Sequence, residues 1–206
     1  MSSIGRYELV GRVSAGPGSA VWKGVDPDTG AAVALKRVTV LPEQVRREAA
    51  GPSRLSHPNV VAVREVVEDA DGPCLVSEWV EGANLGAVLA AGETLSEQQA
   101  VATVVGALAG LAHAHGLGVA HGDVSPSNIM VTPAGESRLL DFGLAGVRGA
   151  AAYKAPEDAV SLPGDVYAMA AVLVHLLTGS GGQPTGDRRR GGRPSGRAGH
   201  SPGARA

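Results

Sequence analysis

Five short apolar stretches, at residues 7–13, 20–25, 32–38, 60–68 and 73–77, are separated by runs of turn-forming residues. Their length and their Val, Leu and Ala content predict β-strands. The intervening turns are marked by Ser14-Ala-Gly-Pro-Gly-Ser19, by Asp26-Pro-Asp-Thr-Gly30 and by the stretch from Asp69 to Gly72. One helical pattern, at residues 42–56, interrupts the strands. Pro42 falls near its first turn, and Glu43 and Gln44 lie close to the positive end of its dipole. Pro52, beside Gly51, sets its ring against the carbonyl of Glu48, which costs about 3 kcal/mol inside a helix, so a break or kink is expected there.

Beyond residue 83 the apolar period lengthens. Residues 84–91 read as a short helix. Ser96-Glu-Gln-Gln99 has the form of a capping box and opens a long apolar helix to His115, stopped by Gly116. Ala, Val and Leu cover most of its faces, which predicts a buried scaffold. His113 and His115 are two positions apart, so they point to different faces and read as structural residues rather than metal ligands. Next, Ile129, Met130 and Val131 face Leu139 and Leu140 across a turn from Pro133 to Glu136, a hairpin.

The hairpin sits inside the most informative stretch, residues 121–143. Asp123 and Asn128 share the loop before it, and Asp141 closes it. Folding the hairpin brings Asp141 back toward Asn128. An acid and an amide presented together suit Mg²⁺, which takes few protein ligands and keeps phosphate oxygens as the rest. Asp123 is then left to accept a proton. The competing reading is a pair of loop carboxylates that cap helices or turns.

Composition narrows the classes. Of 206 residues the net charge is −2, so no global basic field points to nucleic acid. Charge is uneven: residues 179–206 hold six Arg and one Asp, a tail of +5, which leaves −7 on the first 178. That tail also has nine Gly and three Pro and no apolar periodicity, so it is expected to be disordered. The single cysteine, Cys74, excludes an internal disulfide and fits a reducing cytoplasm. Arg6, Glu8 and Arg12 interrupt any signal peptide, and the apolar run at 168–177 contains His175 and is too short to span a bilayer.

His121-Gly-Asp-Val-Ser-Pro-Ser-Asn128 and Asp141-Phe-Gly143, eighteen residues apart from Asp123 to Asp141, resemble the H-R-D-x-K-P-x-N and D-F-G motifs of the eukaryotic-type, or Hanks-type, serine/threonine protein kinases. Val33-Ala-Leu-Lys36 is similar to that family's V-A-I-K. Residues 14–19 resemble its glycine-rich loop, with Gly16 at the second glycine and Ser14 and Ser19 where the first and third would stand. Residues 75–82 resemble the hinge, 153–157 the A-P-E segment, and 165–179 the αF helix with its anchoring Asp165.

The resemblance covers residues 7–179. It implies an α+β, two-lobed kinase fold: an N-lobe and hinge at 1–81 with a five-stranded sheet, a helical C-lobe at 82–178 truncated after αF, and the tail at 179–206. It implies ATP and Mg²⁺. Asp123 becomes the base toward the acceptor hydroxyl. Lys36 holds phosphates and pairs with Glu48, which lies nine residues before His57. Val13, Gly16, Val21, Ala34, Met130 and the backbone of Glu78 and Val80 contact the nucleotide, with Ser77 as gatekeeper. Asn128 and Asp141 bind the metal. His121 and Phe142 become packed spine residues.

Departures from the family pattern qualify the activity. Gly122 replaces the Arg of H-R-D, and the eleven residues between Gly143 and Ala155 contain no Ser or Thr, so no switching by Ser/Thr phosphorylation is expected there. Ser125 replaces the Lys that steadies the γ-phosphate, and Ala150 replaces the Thr that usually bridges it. The leading expectation is transfer of the ATP γ-phosphate to protein Ser or Thr hydroxyls at low activity. A pseudokinase or remnant that binds nucleotide or partners without turnover is the alternative. A small-molecule kinase, which also uses an HGD…N loop, is disfavoured by the A-P-E and αF matches. The helices missing after αF should leave that helix with exposed apolar surface. The motifs name no particular protein substrate, nucleic acid, membrane or oligomeric state.

Overall fold

The computed structural model describes residues 2–16, 19–38, 52–69, 71–142, 151–157 and 160–179. Six strands form an antiparallel sheet: β1 (Ser3–Ile4), β2 (Tyr7–Gly16), β3 (Ser19–Val25), β4 (Ala32–Val38), β5 (Val63–Asp69) and β6 (Gly72–Glu78), in the order β1-β2-β3-β4-β6-β5. All five expected strands are present. The sixth, β1, is two residues long and carries no periodicity to read. It forms because Ile4 pairs with Tyr7 and both side chains are buried.

Strand alternation divides this sheet into two functional faces. Val33 and Leu35 on β4 are fully buried and pack with Ile4, Tyr7, Cys74 and Val76. Ala34 and Lys36, the residues between and after them, therefore point the other way. The expected strand at 60–68 begins only at Val63. The residues before it do a different job: the Asn59 carbonyl accepts from Leu139 N–H at 2.9 Å, and Val61 N–H donates to the Leu139 carbonyl at 2.8 Å. This stitch joins the first sheet to a second, three-stranded one, β7 (Ala83–Asn84), β8 (Ile129–Val131) and β9 (Ser137–Leu139), in the order β7-β8-β9.

The described helices are α1 (Leu85–Ala90), α2 (Glu97–Gly116) and α3 (Leu162–Thr178). The capping box of α2 is formed: the Ser96 hydroxyl accepts from Gln99 N–H and the Gln99 amide oxygen accepts from Ser96 N–H. The helix continues through Gly116 rather than stopping there. Leu117 caps it, and the left-handed turn falls at Gly118, φ +73°. Ala100, Val104, Ala107, Leu111 and Ala114 line its buried face, against Met169, Val172 and Leu176 of α3. Small residues let neighbours come close: a Cβ on Gly110 would stand 2.8 Å from the Asn59 carbonyl oxygen.

The expectation that α2 is a buried scaffold holds on one face and is corrected on the other. Val101, Val105 and Leu108 lie on an exposed stripe, because only one face meets α3 and β9. On α3, Val166, Val174 and Leu177 are likewise about half exposed, at 52, 53 and 49 %. Among the described residues no helix is long and apolar enough to cross a membrane. The expected helix at 42–56 lies mostly outside the described residues, with a 3₁₀ turn at Pro52–Arg54. The tail beyond Gly179 and the stretch at 143–150 also lie outside them.

Candidate active site

A cleft of about 670 Å³ opens between the two sheets. Val13, Ser14, Val21, Ala34 and Lys36 form its roof, residues 77–80 its back, and Met130, Leu140 and Asp141 its floor. The roof follows from register. Lys36 stands opposite Val21, which stands opposite Ser14, so all three side chains share the face turned away from the buried core of that sheet.

Across the cleft the Lys36 ammonium meets the Asp141 carboxylate at 2.6 Å, with each side chain 23 % exposed. The hairpin predicted around Pro133 to Glu136 is what delivers Asp141. Ile129 pairs with Leu139, and Leu140 N–H then donates to the Asn128 carbonyl at 2.9 Å, setting Asp141 beside the Asn128 loop. Asp141 has φ +60°, a left-handed conformation held by no other non-glycine among the described residues. Strain of this kind persists where surrounding structure enforces it.

Asn128 is buried and locks the catalytic-loop candidate in shape. Its amide nitrogen donates to the Asp123 carbonyl at 2.7 Å and to the Asp123 carboxylate at 3.0 Å. That orientation leaves the amide oxygen as the atom able to accept a cation. The loop is fixed from below by Asp165, which is 2 % exposed. Its carboxylate accepts from His121 N–H at 2.7 Å and Gly122 N–H at 2.8 Å, and contacts His115 Nε2 at 2.8 Å. Gly122 has φ +78°, so the glycine standing in place of the family's Arg occupies a conformation that suits it. His121 is fully buried against Phe142, its ring centroid 4.5 Å away, and its Nδ1 accepts from Asp123 N–H at 3.2 Å. Burial pushes the His121 imidazole below its ordinary range, against the pull of Asp165 and Asp141.

The structure thus brings Lys36, Asp123, Asn128 and Asp141 together, with Val13, Val21, Ala34, Glu78, Val80 and Met130 around the adjoining space. Gly16 ends β2 and pairs with Ser19. Glu48 lies outside the described residues. The Glu78 N–H donates to Ala62 at 3.0 Å, and its carboxylate accepts from Ala62 N–H and from Arg138, so its side chain is engaged outside the cleft. Among the described residues no cluster of three or more His, Cys, Asp or Glu side chains could hold a metal. A site made by Asn128 and Asp141 has one carboxylate and one amide and needs no such cluster.

Sequence reading passed over Leu140, Asn84, Ala87 and Ser127, which also line the cleft. Leu140 was visible as the residue before Asp141 in a strand. Asn84 was not: its amide donates to the Ser127 carbonyl at 2.6 Å while its oxygen caps α1, a pairing across 43 residues. Trp79, within the hinge-like stretch 75–82, also borders the cleft and donates from Nε1 to Glu81 at 2.7 Å.

A strand-rich lobe above a helical lobe, with a lysine and an aspartate meeting across the gap, defines a two-lobed kinase-like fold. The chain matches the protein kinase domain across residues 7–189 and belongs to that family. It is similar to the serine/threonine-protein kinase PkaB of Streptomyces coelicolor, 36 % identical over 217 residues covering 89 % of this chain and 51 % of that protein. It is also similar to the probable serine/threonine-protein kinase PknB of Corynebacterium glutamicum, 34 % identical over 84 % of this chain and 31 % of that protein. With the serine/threonine-protein kinase PrkC of Bacillus subtilis the figures are 30 %, 85 % and 31 %. The chain therefore spans about a third to a half of the length of these curated relatives.

Proposed function

We propose that the chain transfers the γ-phosphate of ATP to Ser or Thr hydroxyls of proteins. The Lys36–Asp141 pair carries this reading, because it sets a phosphate-binding cation and a metal-binding carboxylate at opposite walls of one cleft. Val13, Val21, Ala34 and Met130 enclose the adenine, and the backbone of Glu78 and Val80 borders its polar edge. Gly16 belongs to the loop over the phosphates, and Glu48 is the second partner of Lys36. Asn128 and Asp141 would hold Mg²⁺, which when bound neutralises charge on the phosphate oxygens. Asp123 takes the proton of the acceptor hydroxyl. The acceptor oxygen bonds to the γ-phosphorus, the bond from that phosphorus to the β-phosphate oxygen breaks, and ADP leaves.

Ser125 is only 3 % exposed and brings no charge to the γ-phosphate, which supports a slow transfer step. The lobes divide at residues 81 and 82, with a tail from 179. A reducing cytoplasm agrees with one buried, unpaired cysteine. The same buried Ser125 also favours the second reading, a chain that binds nucleotide without turnover.

Thermal unfolding with ATP, with and without Mg²⁺, tests the site, and phosphate transfer to a general protein acceptor tests the chemistry. Binding at about 100-fold over Kd adds roughly 2.7 kcal/mol. A Mg²⁺-dependent rise that Asp141→Asn removes, with transfer that Asp123→Asn removes, is the expected result. A rise without any transfer leaves the non-catalytic reading, and a cooperative transition with no rise removes ATP transfer and leaves only a chain that binds partners without turnover.

A further inference from the structure

We infer that the Ser14 hydroxyl is a binding group for the phosphate chain of the nucleotide, supplied by this chain where the family's loop carries a glycine; the inference rests on the proposed ATP site. A regular strand turns alternate side chains to one face. Along β2 the register slips between Arg12, opposite Trp22, and Ser14, opposite Val21. The extra residue is Val13. Arg12 stays on the outer face, its guanidinium 5.6 Å from the Trp22 ring centroid, while both Val13 and Ser14 border the cleft.

The slip therefore puts a hydroxyl on the cleft face. Ser14, Val21 and Lys36 then form a row across three adjacent strands. Strands lie about 4.8 Å apart, so the two ends of the row are separated by roughly 10 Å of backbone. A lysine side chain reaches inward from one end, as its contact with Asp141 shows, and the serine from the other. A phosphate chain fits the interval between an ammonium and a hydroxyl donor. Ser14 is exposed, and no described residue takes or gives a hydrogen bond at its hydroxyl, so the group is available to a ligand. A glycine at this position would offer only backbone.

The test is calorimetric titration of the full chain and its Ser14→Ala and Ser14→Gly variants with MgATP, MgADP and adenosine. Loss of one hydrogen bond predicts about two- to tenfold weaker binding of ATP and ADP in both variants. Adenosine should bind all three chains equally, which also reports that the variants fold. Unchanged ATP affinity in Ser14→Ala, tighter ATP binding in Ser14→Gly, or an equal loss for adenosine would each overturn the inference while leaving the ATP site standing. Failure of the unsubstituted chain to bind ATP overturns the proposed function, and this inference with it.

Discussion

Lys36 and Asp141 lie 105 residues apart in sequence and 2.6 Å apart in space. One stands on the cleft face of β4, the other just past β9, so the pair ties the sheet lobe to the helical lobe. Both side chains are partly buried, where a charge-assisted hydrogen bond is stronger than at an open surface. Urea denaturation of the unsubstituted chain, Lys36→Met, Asp141→Asn and the double variant should show a coupling of about 1–2 kcal/mol without nucleotide. Additive losses would mean that the contact contributes nothing to holding the lobes together.

Asp165 has a different kind of importance, since its carboxylate serves two backbone N–H groups and His115 at once. Asn at this position keeps one acceptor oxygen and turns an NH₂ toward a donor. Asp165→Asn should lower stability by about 2–4 kcal/mol, a buried donor being left unmet, and should lower transfer further than stability alone explains. A variant with unchanged stability would show that the loop is held by something else.

The family's Lys is absent at Ser125, and restoring it is the direct check on the slow-transfer reading. Ser125→Lys should raise the rate of transfer at saturating ATP, because catalysis in this class is mostly positioning and charge stabilisation. The position is buried, so melting temperatures must be compared alongside. A folded variant with no faster transfer would sink the idea.

Much of this site was legible because local chemistry fixed it. The hairpin turn, the capping box and the motif residues Asp123, Asn128 and Asp141 each depend on neighbours in sequence. What was not legible depends on distant packing. The stitch from Asn59 and Val61 to Leu139 shortens a strand that its composition extends to Val60. The Asn84–Ser127 contact and the two-residue strand at Ser3 have no periodic signature. The exposure of Val101 and Val105 follows from which face of α2 meets its partner, which an all-apolar helix does not declare.

Cys74 is fully buried, and burial pushes its thiol up to about 12. The reactive species is the thiolate, so at pH 8 the native thiol should react with a disulfide reagent on the order of 10³-fold more slowly than a denatured one. Its labelling rate under increasing urea then reports opening of the sheet core. Fast labelling in the absence of denaturant would show that the sheet opens far more readily than its packing implies.

The last prediction concerns acid. His121 is held neutral by burial, so its folded value lies below the unfolded value of about 6.5. Below that pH the unfolded chain takes up a proton that the folded chain refuses. Stability must therefore fall as pH drops through about 6.5, with a slope of up to roughly 1.4 kcal/mol per pH unit from this one group, and level off only below the folded value. His121→Phe removes the titration and should flatten the profile between pH 6.5 and 5. It also leaves Asp123 N–H without the acceptor at Nδ1, so the variant should be less stable than the parent at pH 8. Denaturation midpoints measured from pH 8 to pH 5 decide it. A parent profile that is flat across this range, or a variant that keeps the parent's slope, would show that the buried imidazole is not what makes the fold acid-sensitive.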